Sequence, residues 1–303
     1  MRYNPYLHGL AHLLQRRSLQ IMKKNNNSDN SGVVKQSGTA KSSEFNKNHP
    51  KKTSAGKQEI NPQQDGEKIA KRIAAASRWS RREAEAIVRE GRVTVNEEVQ
   101  TSPAIRVHAN DKIAIDGHAL SEPPTPQVWL YYKPTGYITT KKDPEGRPTI
   151  YDNLPRKMRG MISIGRLDIN SEGLLLITNN GALSRYAELP KTGWKRCYSV
   201  RVFGDIRDDK MFEELRAGAT VDGVRYKPMT IELNRQTGRN AWLYIVIEEG
   251  KNREVRKAMN HIGLQVNRLI RKSYGPFEIG SMRPGDIQQI PMSQVREAFK
   301  EAL

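Results

Sequence analysis

The chain has 303 residues, with 51 Lys and Arg against 33 Asp and Glu, and a formal charge of +18 at pH 7. An excess of that size suits a polyanionic partner, nucleic acid first among them, the plain alternative being a solvated basic face. A single cysteine, Cys197, excludes an internal disulfide or a CxxC zinc site and fits a reducing cytoplasm, and no apolar run approaches the roughly 18 residues of a membrane span.

Residues 1–66 hold eleven basic residues and four acids, so most of the charge excess lies beyond them. Residues 23–66 are Asn, Ser, Lys, Gln and Gly with almost no apolar periodicity. Such a composition cannot bury enough surface to offset the entropy of ordering it, which predicts a disordered basic extension over 1–66. Residues 1–22 set Leu10, Leu13, Leu14 and Ile21 among Arg and His without an acid, in the manner of a targeting peptide but without the apolar core of a secretory signal. Met22, followed by Lys23-Lys24-Asn25, reads equally as a translation start.

Order is expected from Glu67. Ile69, Ile73, Ala74 and Ala75 recur at helical spacing, and Ser80-Arg81-Arg82-Glu83 has the S-x-x-E form of a capping box ahead of Ala84, Ala86, Ile87 and Val88. Strand-like runs follow at 92–96 and 112–117. Ser80, Arg81, Arg82, Ala84, Val88, Gly91, Val93, Val95 and Asn96 together resemble the signature of the S4 RNA-binding domain, with Glu97 where that signature has Gly. The resemblance makes 67–122 an RNA-binding unit in which Arg81 and Arg82 contact substrate. Glu83, Glu85 and Glu90 leave open a salt-bridged surface helix instead.

A Pro-rich hinge at 123–126 opens the larger part, 127–303, long enough for one substantial core. Strand-like runs at 128–132, 162–164, 174–178, 198–202, 229–233, 242–247 and 266–270 alternate with helical stretches at 182–189, 208–218, 253–262 and 293–303. The pattern predicts an α+β fold with a mixed, largely antiparallel sheet. Between two of these runs, Gly165-Arg166-Leu167-Asp168 and the residues up to Gly173 form a polar turn carrying a carboxylate, the kind of loop on which catalytic groups sit.

Four segments of this part resemble, in order, the bacterial ribosomal-RNA pseudouridine synthases of the RsuA/RluB type. They are Tyr132-Lys133-Pro134 with Gly136, the run Asp143-Pro144-Glu145-Gly146-Arg147-Pro148-Thr149, the stretch from Gly165 to Gly181, and Gly250-Lys251-Asn252-Arg253-Glu254-Val255-Arg256-Lys257. The resemblance spans about residues 67–289. Through Tyr131 to Pro134 and the run from Asp143 to Thr149, its detail is nearest the members that modify large-subunit rRNA. Ser171 stands where Thr is common and Asn180 where Asp is common; both keep turn chemistry.

The resemblance implies an S4 domain followed by a pseudouridine synthase catalytic domain, and a reaction that detaches uracil from ribose at N1 and rejoins it at C5. No oxidation state changes, so no cofactor is expected. Asp168 takes the place of the single essential carboxylate, acting by attack on the substrate or by removing a ribose proton; Glu172 and Asp143 are the other acids nearby. An ionised Asp in a cleft that excludes water needs a positive neighbour, because burial favours the neutral acid. The resemblance gives that place to Arg256, and leaves Lys251 and Arg253 to phosphates. Tyr198 is implied to stack on a uracil flipped out of its helix, and Leu269 to wall the pocket; both also read as plain core residues. Arg166, Lys133 and Arg147 complete the expected substrate contacts. The expected partner is rRNA, 23S or a large-subunit assembly intermediate, met by a monomer with no membrane association.

Two other readings remain. A catalytically silent S4-type ribosome-associated protein explains the charge but not the turn around Asp168 or Arg256. An aminoacyl-tRNA synthetase fragment is suggested only by His261-Ile262-Gly263-Leu264, without the Lys-Met-Ser-Lys-Ser loop such enzymes carry. The six histidines offer no metal-ligand set; His8 and His12, the one helically spaced pair, lack a third ligand.

Overall fold

The computed structural model describes residues 66–77, 79–158 and 160–303. The expectations for residues 1–65, namely the disordered extension, the targeting peptide, the alternative start and the pair His8 and His12, lie outside the described residues.

Helix α1 (Ile69–Ala76) buries Ile69, Ala70 and Ile73, and α2 (Arg81–Arg89) buries Ala84, Ile87 and Val88 against them. The expected capping box starts α2. The Ser80 backbone N–H donates to a Glu83 carboxylate oxygen at 2.7 Å, and Ser80 Oγ accepts from the Glu83 N–H at 3.3 Å, so two otherwise unpaired donors of the first turn are satisfied. Strands β1 (Val93–Val95), β2 (Glu98–Gln100), β3 (Ile113–Ile115) and β4 (His118–Ala119) pair antiparallel in the order β2-β1-β3-β4. The β1–β2 turn holds Asn96 at φ 51° and Glu97 at φ 74°. Glu97, which replaces the usual Gly, therefore occupies left-handed backbone where a side chain is strained.

The second part is built on one nine-stranded sheet. Its strands are β5 (Val128–Lys133), β6 (Ile162–Ile164), β7 (Glu172–Thr178), β8 (Arg196–Phe203), β9 (Thr230–Thr237), β10 (Asn240–Ile247), β11 (Gln265–Tyr274) and β12 (Ile287–Gln289), with the short Phe277–Glu278 paired to β11. The main path runs β9-β10-β8-β11-β7-β5-β12, and β6 pairs with β7. All its pairings among the described residues are antiparallel except β11 with β7, which matches the mixed, largely antiparallel α+β expectation.

Strand β7 explains its own sequence. All seven of its residues are buried, with Leu175 and Ile177 in one apolar cluster and Leu174 and Leu176 in another, so it reads as a continuous apolar run rather than an alternating one. Helices α3 (Gly181–Glu188) and α6 (Met292–Ala298) supply Leu183, Ala187 and Val295 to the second cluster. Helix α5 (Glu254–His261) supplies Val255, Ala258 and Met259 to the first, and Leu215 comes from α4 (Glu213–Ala217). The helix expected over 208–218 is split into a 3-10 turn, Asp209–Phe212, and the short α4, which Gly218 ends at φ 92°. Strand β12 had no signal, since Ile-Gln-Gln carries a single apolar residue.

Where β7 meets β11, Gly173 lies opposite Arg271 at φ 106°. A Cβ there would press on the Arg271 carbonyl oxygen and lie 2.7 Å from its nitrogen. Only glycine permits this approach, and it fixes the strand that leaves the Asp168 turn against the strand that carries Leu269 and Arg271.

Candidate active site

The turn from Leu167 to Ser171 is held by its backbone. Leu167 O accepts from Thr139 Oγ1 at 2.8 Å. Asp168 O accepts from the Ser171 N–H at 3.0 Å and from Lys133 Nζ at 3.1 Å. Ile169 O accepts from the Gly136 N–H at 2.8 Å, Asn170 O from Arg256 Nη2 at 2.9 Å, and Ser171 O from Lys133 Nζ at 2.9 Å. Five consecutive carbonyls are thus satisfied, and the chain cannot re-aim Asp168 without breaking several bonds.

Lys133 is the centre of this support and departs from expectation. It was assigned to substrate, but it is fully buried, and its ammonium donates to the carbonyls of Pro134, Asp168 and Ser171. An ammonium has three donors, and all three are engaged beneath the turn. Burial pushes its pKa down to about 8, with Arg271 acting the same way and Asp168 and Glu172 opposing.

The Asp168 carboxylate is one-third exposed and faces a cleft of about 1030 Å³. Its nearest cation also differs from expectation. Arg253 Nη1 lies 3.5 Å from Asp168 Oδ2, while Arg256 donates to Asn170 O and, at 3.0 Å, to Val266 O. Arg256 thus clamps the turn and acts on Asp168 only through space: burial and Arg253 disfavour its charge, and Asp168 favours it. The cause of the exchange is local. Arg253 precedes α5 with φ 51°, and this left-handed residue turns the chain so that its side chain points back at the carboxylate.

The other acids of the motifs are engaged. Glu172, nine-tenths buried, accepts from Arg268 at 2.6 and 3.2 Å and from the Tyr132 hydroxyl at 3.2 Å; Arg268 holds its carboxyl below the usual range. Asp143 accepts from the Arg147 side chain at 2.8 and 3.1 Å, and Arg147 also pairs with Glu145 at 3.1 Å.

Among the remaining candidates, Tyr198 on β8 and Leu269 on β11 are buried, belong to the apolar core and also line the cleft, so the two readings of each are compatible. Arg166 and Arg147 are exposed on the cleft rim, and Arg166 has no hydrogen bond or ion pair among the described residues. Lys251, expected to meet phosphate, lines the cleft with its ammonium on Glu249 at 2.5 Å and Arg225 O at 2.7 Å. On α2, Arg81 and Arg82 are exposed and unpaired among the described residues, whereas Arg89 pairs with Glu85 and Arg92 with Glu90 and Asp116. The salt-bridged reading of that helix therefore holds for its end and not for its start.

Two residues escaped sequence reasoning. Arg271 is buried on the cleft wall opposite Tyr198 in the β8–β11 ladder; its Nε donates to Leu174 O at 2.7 Å, and its Nη2 has no partner among the described residues. Glu254 is buried at the start of α5, one oxygen accepting from the Lys251 N–H at 2.8 Å and the other unpartnered among the described residues. Burial, with Glu249 nearby, raises its pKa to about 7. A Lys-x-x-Glu spacing at a helix start was the available signal for Glu254; nothing local marked Arg271. Among the described residues no group of His, Cys, Asp and Glu could hold a metal ion, and no helix is long and apolar enough to cross a membrane.

Comparison with known proteins gives the family. Residues 127–261 match the RNA pseudouridylate synthase family and residues 68–113 the S4 domain. A Rickettsia felis protein described as an uncharacterized RNA pseudouridine synthase is 43% identical over 224 residues, covering 74% of this chain and 96% of that one. The ribosomal large subunit pseudouridine synthase B of Pasteurella multocida is 40% identical over 242 residues, 78% of this chain and 70% of its own; that of Yersinia pestis is 42% identical over 221 residues, 71% and 69%. A crystal structure of a pseudouridylate synthase shares the fold, with TM-score 0.54 at 24% identity over 77% of this chain and 100% of that one. The chain belongs to the RNA pseudouridine synthases, carries an S4 domain ahead of its synthase domain, and is an isomerase.

Proposed function

We propose that this protein isomerises a uridine of ribosomal RNA, in the 23S RNA of the large subunit, with Asp168 as its one catalytic carboxylate. The observation that carries the reading is the Asp168 turn: its carbonyls are all bound, yet its carboxylate stays open to the cleft, with the 3.5 Å contact to Arg253 as its one side-chain partner among the described residues. The large-subunit assignment is supported by the names of the Pasteurella and Yersinia relatives.

The target nucleotide leaves its stack and enters the cleft, because both N1 and C5 of one ring must be reached. Tyr198 stacks on the base and Leu269 closes the pocket. The N1–C1′ bond breaks, a C5–C1′ bond forms, C5 gives up its proton and N1 gains one, so atoms and electrons balance without a cofactor. Asp168 acts at the ribose, while Arg253 compensates its charge and Arg256 fixes the turn. Arg166 and Arg147 at the rim, and Arg81 and Arg82 on the S4 helix, face phosphates.

Release of tritium from deproteinised large-subunit rRNA labelled at uridine C5 tests the reading. Wild-type protein turns over without added metal or nucleotide; Asp168→Asn abolishes release and leaves RNA affinity nearly intact. Retained turnover in that variant refutes the assignment.

A further inference from the structure

The sheet has a second charged face, away from the cleft. Along β8, Tyr198, Val200 and Val202 are buried, and the alternate residues Ser199, Arg201 and Phe203 point the other way and are exposed or half-buried. In register across four strands, Arg235 of β9 lies opposite Trp242 of β10, Trp242 opposite Arg201 of β8, and Arg201 opposite Arg268 of β11. Residues opposite one another share a face and sit about 4.8 Å apart from strand to strand, so the row Arg-Trp-Arg-Arg crosses roughly 14 Å of surface. Beside it the Arg239 guanidinium covers the Phe203 ring at 4.6 Å. None of Arg201, Arg235, Arg239 or Trp242 lines the cleft.

Three of the four arginines on this face have no acid beside them among the described residues. Arg268 is paired with Glu172, but Arg201 donates only to the neutral Asn240 side chain at 3.1 Å, and Arg235 and Arg239 have no hydrogen bond or ion pair from their side chains among the described residues. The next row along the strands is Glu232, Tyr244 and Ser199, where the acids Glu232 and Glu278 approach Tyr244 and the basic stripe ends. Trp242 packs with one side on the apolar cluster to which α3 and α6 contribute and is otherwise open between two guanidinium groups. Three free arginines around half-buried rings on an open sheet form the combination that binds single-stranded RNA, with charge for the backbone and aromatic surface for bases.

We propose that this face is a second RNA-contacting surface, holding a single-stranded stretch of the rRNA substrate outside the target nucleotide. It rests on the rRNA reading above and extends it to specificity: the cleft takes one nucleotide, and the arginine row takes flanking backbone and so selects RNA long enough to reach both.

The test compares the full-length protein with Arg201→Gln/Arg235→Gln/Arg239→Gln, using deproteinised 23S rRNA as the probe, in binding across a KCl series and in tritium release. Each phosphate contact to a single strand contributes about 0.7 to the slope of log affinity against log salt, so losing three lowers the slope by about 2. The KM for rRNA rises roughly tenfold, on the scale of such contacts, while kcat at saturating RNA is unchanged. The Lys triple variant restores the slope. Should the Gln triple fail to fold, Arg235→Gln alone, on the exposed end of β9, still lowers the slope by about 0.7. Unchanged slope and KM in a folded, active variant overturn this proposal alone and leave the rRNA reading standing. Absence of both binding and turnover in the wild type removes the rRNA reading and this inference with it.

Discussion

Two loops on the same cleft each present an acid beside cations, and the cations act in opposite ways. In the loop over 143–149, Arg147 binds the Asp143 carboxylate itself, so the charge is neutralised where it stands. In the turn over 167–171, Lys133 and Arg256 bind backbone carbonyls instead, and the carboxylate is left to the cleft. The cations supply rigidity in the second case and remove reactivity in the first. The role proposed for Asp168 calls for both a fixed position and a free oxygen, and the second loop supplies the two together.

The contrast predicts unequal consequences for removing each cation. Lys133→Met takes a buried donor from three carbonyls at once; Asp168 O keeps the Ser171 N–H, those of Pro134 and Ser171 lose the ammonium, and each orphaned group costs about 1–3 kcal/mol. Loss of roughly 2 kcal/mol or more is expected in urea unfolding, with tritium release falling to background. Arg147→Ala takes a half-exposed guanidinium from the largely buried Asp143 carboxylate, which keeps the Arg147 backbone N–H, so its loss of stability is smaller than that of Lys133→Met, and KM for RNA rises. Equal destabilisation by the two substitutions would break the distinction.

A finer version separates the two arginines of the third cleft segment. Arg256→Ala removes the donor on Asn170 O, lowering both stability and kcat, by about 1–3 kcal/mol for the former. Arg253→Ala leaves the turn bound and removes only the charge beside Asp168, so kcat falls while the melting temperature holds. Thermal melts beside single-turnover rates read both, and a stability loss confined to Arg253→Ala would reverse the roles.

These roles were only partly legible in the sequence. The α2 cap, the strands of the central sheet and the Asp168 turn were legible because each rests on local chemistry or a two-residue period. Lys133 was misread because a lysine is almost never fully buried, and only the fold reveals three carbonyls converging on it. Arg253 and Arg256 stand three apart, a spacing that reads as one helix face, and the resemblance favoured Arg256; the left-handed backbone that keeps Arg253 out of the helix turns its side chain to Asp168 instead. Arg271 became a cleft residue through its ladder partner Tyr198 on a distant strand, which no local pattern encodes.

Glu254 is the intermediate case between the two loops, an acid engaged at one oxygen by a backbone N–H and stranded at the other. Its pKa is raised from an ordinary 4.5 to about 7, so the folded state holds its proton more tightly than the unfolded one. The stability linked to that proton is fully present below about pH 4.5 and is lost as pH rises through 7. Glu254→Gln keeps an acceptor for Lys251 and has nothing to titrate. The difference in melting temperature between wild type and Glu254→Gln should therefore fall across pH 4.5 to 7 and level off above it, carboxylates other than the neighbouring Glu249 cancelling in the comparison. A difference that stays flat through that window would mean Glu254 is ionised throughout, placing it with Asp143 as an acid compensated where it stands.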